Sequence, residues 1–193
     1  MALVSICIPT VEGNIALLKE TVNGFIQHTP REQYELVISC NEFRGYEIPV
    51  NWSLKEAKGD ILLIANDDLC IAGEWLPPVL AALEDKKVGI VAHKLACLNG
   101  GKFAAFWFVA IPRKVLDEVG LLDENYNTFT SDQDYCHRVR KAGYEIRFIE
   151  LPMVAHKGCQ TTYKLEDGDD RKRYGRELFA RKWGKTPEDI TYD

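Results

Sequence analysis

The order of apolar runs predicts an α/β protein built on a mostly parallel central sheet flanked by helices. Three observations carry this. Short β-branched runs alternate with helical periodicities through the first third of the chain, in βαβαβ order. The run Ile61-Leu62-Leu63-Ile64-Ala65 is apolar throughout, as a strand buried on both faces must be. That run stops abruptly at Asn66-Asp67-Asp68, which puts paired carboxylates at the rim of a sheet.

Each element has its own signature. Val4 to Ile8 is a β-branched run that stops at Pro9-Thr10 and reads as the first strand. Ile15, Leu18, Val22, Phe25 and Ile26 recur at helical spacing, which predicts an amphipathic helix opening near Asn14. Tyr34 to Cys40 reads as the second strand, and residues 41–50, with Gly45 and Pro49, as a loop. Trp52 to Lys58 reads as a short helix with Gly59 as its C-cap, and Asp60 to Ala65 as the third strand. Glu74 to Asp85 predicts a helix whose first turn accommodates Pro77-Pro78. Val88 to Ala92 is a strand, Asn99-Gly100-Gly101 a turn, and the aromatic and β-branched run Phe103 to Ile111 a further strand. Pro112 opens a helix to about Val119. Ser131 to Ala142 predicts a helix capped by Ser131 and closed by Gly143, followed by a strand from Tyr144 to Leu151. Residues 164–170 read as an acidic loop, and 171–183 as a final helix with Tyr174, Leu178, Phe179 and Trp183 facing inward. No repeat, low-complexity segment or linker interrupts the chain, so residues 1–193 read as one domain.

Composition narrows the function classes. The chain is 46% hydrophobic and 27% charged, which is ordinary for a globular protein. With 24 basic and 29 acidic residues, net −5, it lacks the basic balance of a nucleic-acid binder. No apolar stretch approaches the roughly 20 residues of a transmembrane segment. The N-terminus reads directly as a strand rather than a signal peptide. None of the six cysteines stands at CxxC spacing, which argues against zinc; they read as reduced thiols of a cytoplasmic protein.

The chemistry gathers at two places. In open α/β sheets the rim beyond the strand ends is where ligands bind, and carboxylates there suit Mg²⁺ or Mn²⁺ carrying a phosphorylated substrate. Asn66-Asp67-Asp68 has that placement, although Asn and Asp also favour plain polar turns. Ser131-Asp132-Gln133-Asp134 opens a helix, where its carboxylates also complement the positive helix end, with Asp134 one turn before Arg138. Of the aromatic run, Phe103, Phe106 and Phe108 read as core, and Trp107 as the ring facing a sugar.

These motifs, in this order, resemble family 2 glycosyltransferases of the GT-A fold, over nearly the whole chain. Asn51 opening a short helix, Ala57-Lys58-Gly59 and a strand leading to Asn66-Asp67-Asp68 are similar to the family's central stretch, the triplet standing for its DxD motif as in rhamnosyltransferase-like members. Ile6-Cys7-Ile8-Pro9-Thr10 resembles the first strand, and Ser39-Cys40-Asn41 stands where the second usually ends in an acidic residue. Asp132-Gln133-Asp134-Tyr135-Cys136-His137-Arg138 resembles the ED-x-D-x-x-x-R segment, with Ser131 in place of Glu. Val154-Ala155-His156 resembles the stretch carrying the histidine after the last core strand.

The resemblance implies a metal-dependent, inverting transfer of a sugar from a nucleoside-diphosphate donor (UDP, dTDP or GDP) to a glycan or other acceptor hydroxyl. Residues 1–92 would form the nucleotide-sugar half and 93–193 the acceptor half. It implies Asp68 and His156 as ligands to Mn²⁺ or Mg²⁺, and Asp132 as general base. Pro9, Thr10, Glu12, Asn41, Asn51, Asn66 and Asp67 would line the donor site. Two rivals stand beside it. A sugar-1-phosphate nucleotidyltransferase would need a glycine-rich basic loop, whereas Pro9-Thr10-Val11-Glu12-Gly13-Asn14 has one glycine and no Lys or Arg. A catalytically silent module of the same fold is the other.

Overall fold

The computed structural model describes residues 3–40, 45–158 and 166–192. The predicted Asn41 donor contact and the thiol of Cys159 lie outside them.

β1 (Val4–Thr10) pairs on both edges, in parallel, with β2 (Tyr34–Cys40) and β3 (Ile61–Ala65). Such a strand has no solvated face, which is why Val4 to Ile8 are all buried. Helices α1 (Ile15–Gln27) and α2 (Glu47–Glu56) make the crossovers. The sheet has six strands in the order β2-β1-β3-β8-β5-β9. β8 (Phe108–Pro112) is wedged antiparallel between β3 and β5 (Val88–His93), and β9 (Glu145–Ile149) returns parallel to β5. Two short ribbons stand off it: β4 (Leu69–Ile71) with β10 (Val154–His156), and β6 (Cys97–Leu98) with β7 (Phe103–Ala104).

Strand alternation sorts the core into two layers. Ile6, Ile8, Leu63 and Ala65 face α1 and α3 (Leu76–Leu83) and pack with Phe25, Trp75 and Val79. Cys7, Leu62 and Ile64 face the other way, against α2, α4 (Arg113–Val119), α5 (Ser131–Lys141) and α6 (Gly168–Trp183). Trp75 centres the first layer, edge-on to Phe25 and Phe108 at 5.4 and 5.6 Å, with its indole N–H donated to Thr29 at 2.9 Å. This satisfies the one polar atom that burying a tryptophan would otherwise strand.

Several sequence expectations are corrected. α2 starts at Glu47, inside the expected loop, because Ile48, Pro49 and Val50 wind with Val50 and Leu54 on the buried side. Gly59 does not cap it. A Cβ there would lie 2.6 Å from Leu3 O and 2.7 Å from Ser5 N, so the glycine permits close backbone approach to β1. The run 103–111 breaks into β7 and β8 at residues 105–107. α6 begins at Gly168, its first turn taking Asp169 and Asp170, which favour the positive helix end. Tyr174 points outward, while Phe179 is fully buried. Ser131 lies inside α5 rather than at its cap; Thr130 holds that position, in a left-handed conformation. Among the described residues the cysteines are unpaired, and no helix is long and apolar enough to cross a membrane.

Candidate active site

The end of β3 is held by α1. The Thr21 hydroxyl lies 2.8 Å from Asp67 O and 3.0 and 2.9 Å from Leu69 O and N. One turn on, Gly24 lets the Ile71 backbone approach to where a Cβ would stand 2.9 Å from its carbonyl oxygen. Asp67 itself is buried. It accepts from Thr10 Oγ1 at 2.6 Å and from Asn14 Nδ2 at 3.2 Å, so it ties the β3 rim to the β1–α1 turn. Burial raises its pKa, against these two donors, which lower it.

Asp68, next along, is differently placed. Its carboxylate is buried, and Oδ1 lies 2.9 Å from His156 Nε2, yet no donor reaches that oxygen in hydrogen-bonding geometry. The β4–β10 ribbon brings the pair together: His156 stands across from Leu69, and Lys157 N donates to Asp68 O at 3.0 Å. Trp107 stacks on the imidazole at 4.9 Å and 14° and also meets His93, tilted at 41°, at 4.9 Å. The ring expected to face a sugar is therefore spent on orienting His156, and is buried. Asn66 Nδ2 lies 3.3 Å from His156 Nε2.

A buried carboxylate oxygen without a donor, facing an imidazole nitrogen, is an arrangement that a cation completes. Among the described residues no three His, Cys, Asp or Glu side chains converge as a ready cage. Mg²⁺ and Mn²⁺ commonly keep waters and take one or two protein groups plus phosphate oxygens, which this pair fits.

Asp132 stands in the first turn of α5, partly exposed, at a cleft of about 270 Å³ also lined by Phe129, Gln133, Lys172 and Arg176. Gln133 N–H donates to its Oδ1 at 2.8 Å, and the Phe106 N–H also donates to it. Surrounding protein pushes its pKa up to about 6, against the lowering effect of the Gln133 N–H, and the nearby Glu47 carboxylate adds to the rise. Phe106 and Trp107 are adjacent, so one dipeptide touches both centres: the base candidate through its backbone, His156 through its ring.

The fold thus gathers Thr10, Asn66, Asp67, Asp68 and His156. Pro9 and Glu12 flank them on the β1–α1 turn, Pro9 half-buried and Glu12 exposed. Asn51 is not among them: its buried amide donates to Leu122 O and Glu124 Oε1 and accepts from Leu122 N, all at 2.9 Å. Sequence reasoning missed Glu47, whose only signal is an acid between Tyr46 and Ile48 in a helix-forming apolar stretch. It also missed Asn14, read only as the start of a helix, and Thr21, inside that helix.

Comparison with known proteins agrees with this fold. Residues 36–107 match the family described as Glycosyl transferase family 2. The uncharacterized protein y4gI of Sinorhizobium fredii is 24% identical over 250 aligned positions, covering 94% of this chain and 27% of that protein. The chain therefore spans about a quarter of the length of this curated relative. Among solved structures, the mannosyltransferase PcManGT from Pyrobaculum calidifontis, in complex with GDP-Man and Mn²⁺, superposes with a TM-score of 0.71 at 16% identity, over 96% of this chain and 66% of that one. GalNAc-T7 with UDP, GalNAc and Mn²⁺ gives 0.69 at 14% identity, over 93% and 49%. S. aureus TarS 1-349 with UDP gives 0.64 at 13% identity, over 97% and 73%. The segment from β2 to Trp107, which includes Asn66, Asp67 and Asp68, is thus similar to family 2 glycosyltransferases, and the whole chain has the GT-A fold of these neighbours.

Proposed function

We propose that this chain transfers a sugar from a nucleoside-diphosphate donor to an acceptor hydroxyl with inversion, using a divalent metal. The observation that carries this is the unsatisfied, buried Asp68 Oδ1 facing His156 Nε2 at the sheet rim. Asp68 and His156, with Asn66 beside them, would hold Mn²⁺ or Mg²⁺. When bound, the metal neutralises charge on the departing nucleoside diphosphate. The neighbours bound to GDP-Man or UDP, two of them with Mn²⁺, support the same donor class here.

In this reading Thr10 and Asn14 fix Asp67, and through it the turn that presents Asp68. Pro9, Thr10, Glu12, Asn41, Asn66 and Asp67 border the donor, and Asn51 acts by holding the 122–124 turn. Asp132 accepts the acceptor's proton as its oxygen attacks the anomeric carbon, through an oxocarbenium-like transition state. A base with pKa about 6 is deprotonated at neutral pH yet holds a proton better than an ordinary aspartate. The acid limb of kcat/KM should therefore fall near pH 6. The cysteines that are unpaired among the described residues support a reducing, cytoplasmic setting.

The test is thermal stability with UDP, GDP and dTDP, each with and without Mn²⁺, on wild type, Asp68→Ala and Asp132→Asn. A native-state ligand adds about 2.7 kcal/mol at 100 times its dissociation constant. One nucleotide should stabilise wild type and Asp132→Asn in a Mn²⁺-dependent way and leave Asp68→Ala unmoved. The matching nucleotide-sugar should be turned over by wild type only. No stabilisation by any nucleotide would refute the donor site, and binding without turnover in wild type would favour the silent module.

A further inference from the structure

The loop before α5 carries backbone strain. Asn127, Thr128 and Thr130 have φ of 52, 96 and 76°, and two of these residues are β-branched, for which such angles are costly. Strain of this kind persists only when the surroundings over-determine it. Two elements do so. Glu47, on the first turn of α2 and 1% exposed, receives the Thr128 N–H on both carboxylate oxygens, at 2.9 and 3.0 Å. Its carboxylate also accepts the Ser131 hydroxyl. From the other side, Gly175 of α6 admits the Phe129 carbonyl to where a Cβ would lie 2.5 Å away. Asp132 follows directly on this clamped stretch.

We propose that Glu47 is a positioning residue for Asp132: it holds the 127–130 loop in the strained form that carries the Asp132 carboxylate into the cleft. This rests on the reading of Asp132 as the base. A carboxylate is suited to the task because both oxygens accept and neither donates, so the one backbone N–H and the Ser131 hydroxyl are satisfied together. The same negative charge opposes ionisation of Asp132, so position and proton affinity are set by one group. Among the described residues, the other titratable or charged groups facing Asp132 are Tyr46 at the N-cap of α2, Cys136 of α5 itself, Lys172 and Arg176 of α6, and Glu188.

Hydrogen exchange at the Thr128 amide and carboxyl NMR titration of Asp132, its signal assigned by loss in Asp132→Asn, test this without any substrate. Glu47→Ala should speed Thr128 exchange at least tenfold and leave exchange in β1 and β3 unchanged. Glu47→Gln keeps an acceptor but no charge; it should preserve Thr128 protection and lower the Asp132 midpoint. In a Thr128→Gly background, where the φ of 96° costs nothing, Glu47→Ala should disturb the Asp132 signal less. Should Glu47→Ala fail to fold, the Gln variant and the glycine background still decide. Unchanged Thr128 exchange and Asp132 midpoint in the Glu47 variants would overturn the proposal. Persistent turnover of the stabilising nucleotide's sugar donor in Asp132→Asn would instead overturn the base reading, leaving the loop result standing.

Discussion

Asp132 holds its proton more tightly than an exposed aspartate, and this has a cost in stability. Its pKa rises from 3.8 to about 6, so between those values the native chain binds a proton that the unfolded chain has released. Stability contributed by the protonated form is complete below about pH 4 and is lost as pH rises through about 6. Two pH units at full burial are worth roughly 3 kcal/mol, and partial exposure cuts this to about 1–2 kcal/mol. Asp132→Asn should therefore gain about that much over wild type between pH 4 and pH 7 in urea denaturation. A difference between the two that does not change with pH would show that the carboxyl is unperturbed. Asp67, a neighbour of Asp68 in sequence, differs from it entirely in space: one carboxylate is filled by Thr10 and Asn14, the other has an oxygen left open. Nothing in the triplet Asn66-Asp67-Asp68 distinguishes them, because the distinction is made by residues 53 or more positions away.

At the scale of elements, α1 is an amphipathic helix whose inner face does two jobs. Phe25 enters the core, while Thr21 and Gly24 form a seat for the β4 ribbon. The helix itself was legible from Ile15, Leu18, Val22, Phe25 and Ile26, although Ile15 and Ile26 prove exposed at 41 and 50%. The seat was not, since a threonine and a glycine in a helix announce no partner until the ribbon packs on them. Thr21→Val keeps the shape but removes the hydroxyl, leaving the Leu69 N–H without its acceptor. We expect a loss of about 1–3 kcal/mol in urea denaturation. Mn²⁺-dependent nucleotide stabilisation should fall with it, because the turn bearing Asp68 loses its anchor. Retained stability and retained nucleotide response together would show that the seat is incidental.

On the scale of the whole molecule, the second half of the chain is locked together by one buried charge. Asp134 is fully buried and accepts from Tyr126 at 3.1 Å, Trp183 Nε1 at 2.9 Å and Arg138 at 3.0 Å, with Lys182 Nζ 2.9 Å away. Arg138 in turn donates to Val119 O and Leu121 O, both at 2.7 Å. This hub joins α5, α6 and the turn after α4, all in the second half of the chain. Asp134→Ala would leave cations and an indole N–H without their acceptor, and breaking a buried pair in this way costs about 3–5 kcal/mol. A shift of the urea midpoint below that expected for 1 kcal/mol would contradict the hub. The i, i+4 pair with Arg138 was readable from spacing alone; Trp183, 49 residues away, was not.

Taken alone, the sequence determined the alternation of strands and helices, the buried character of β3, and the two polar stretches that end or open elements at the sheet rim. These are local matters: periodicity, chain punctuation and composition decide them within about ten residues. The tertiary structure alone decided that β8 runs antiparallel between β3 and β5, that a ribbon returns His156 to Asp68, that Trp107 orients that imidazole rather than meeting a sugar, and that Glu47 clamps the loop before Asp132. Each of these joins residues tens of positions apart, and it is burial and hydrogen-bond satisfaction in the folded chain that choose which distant groups meet.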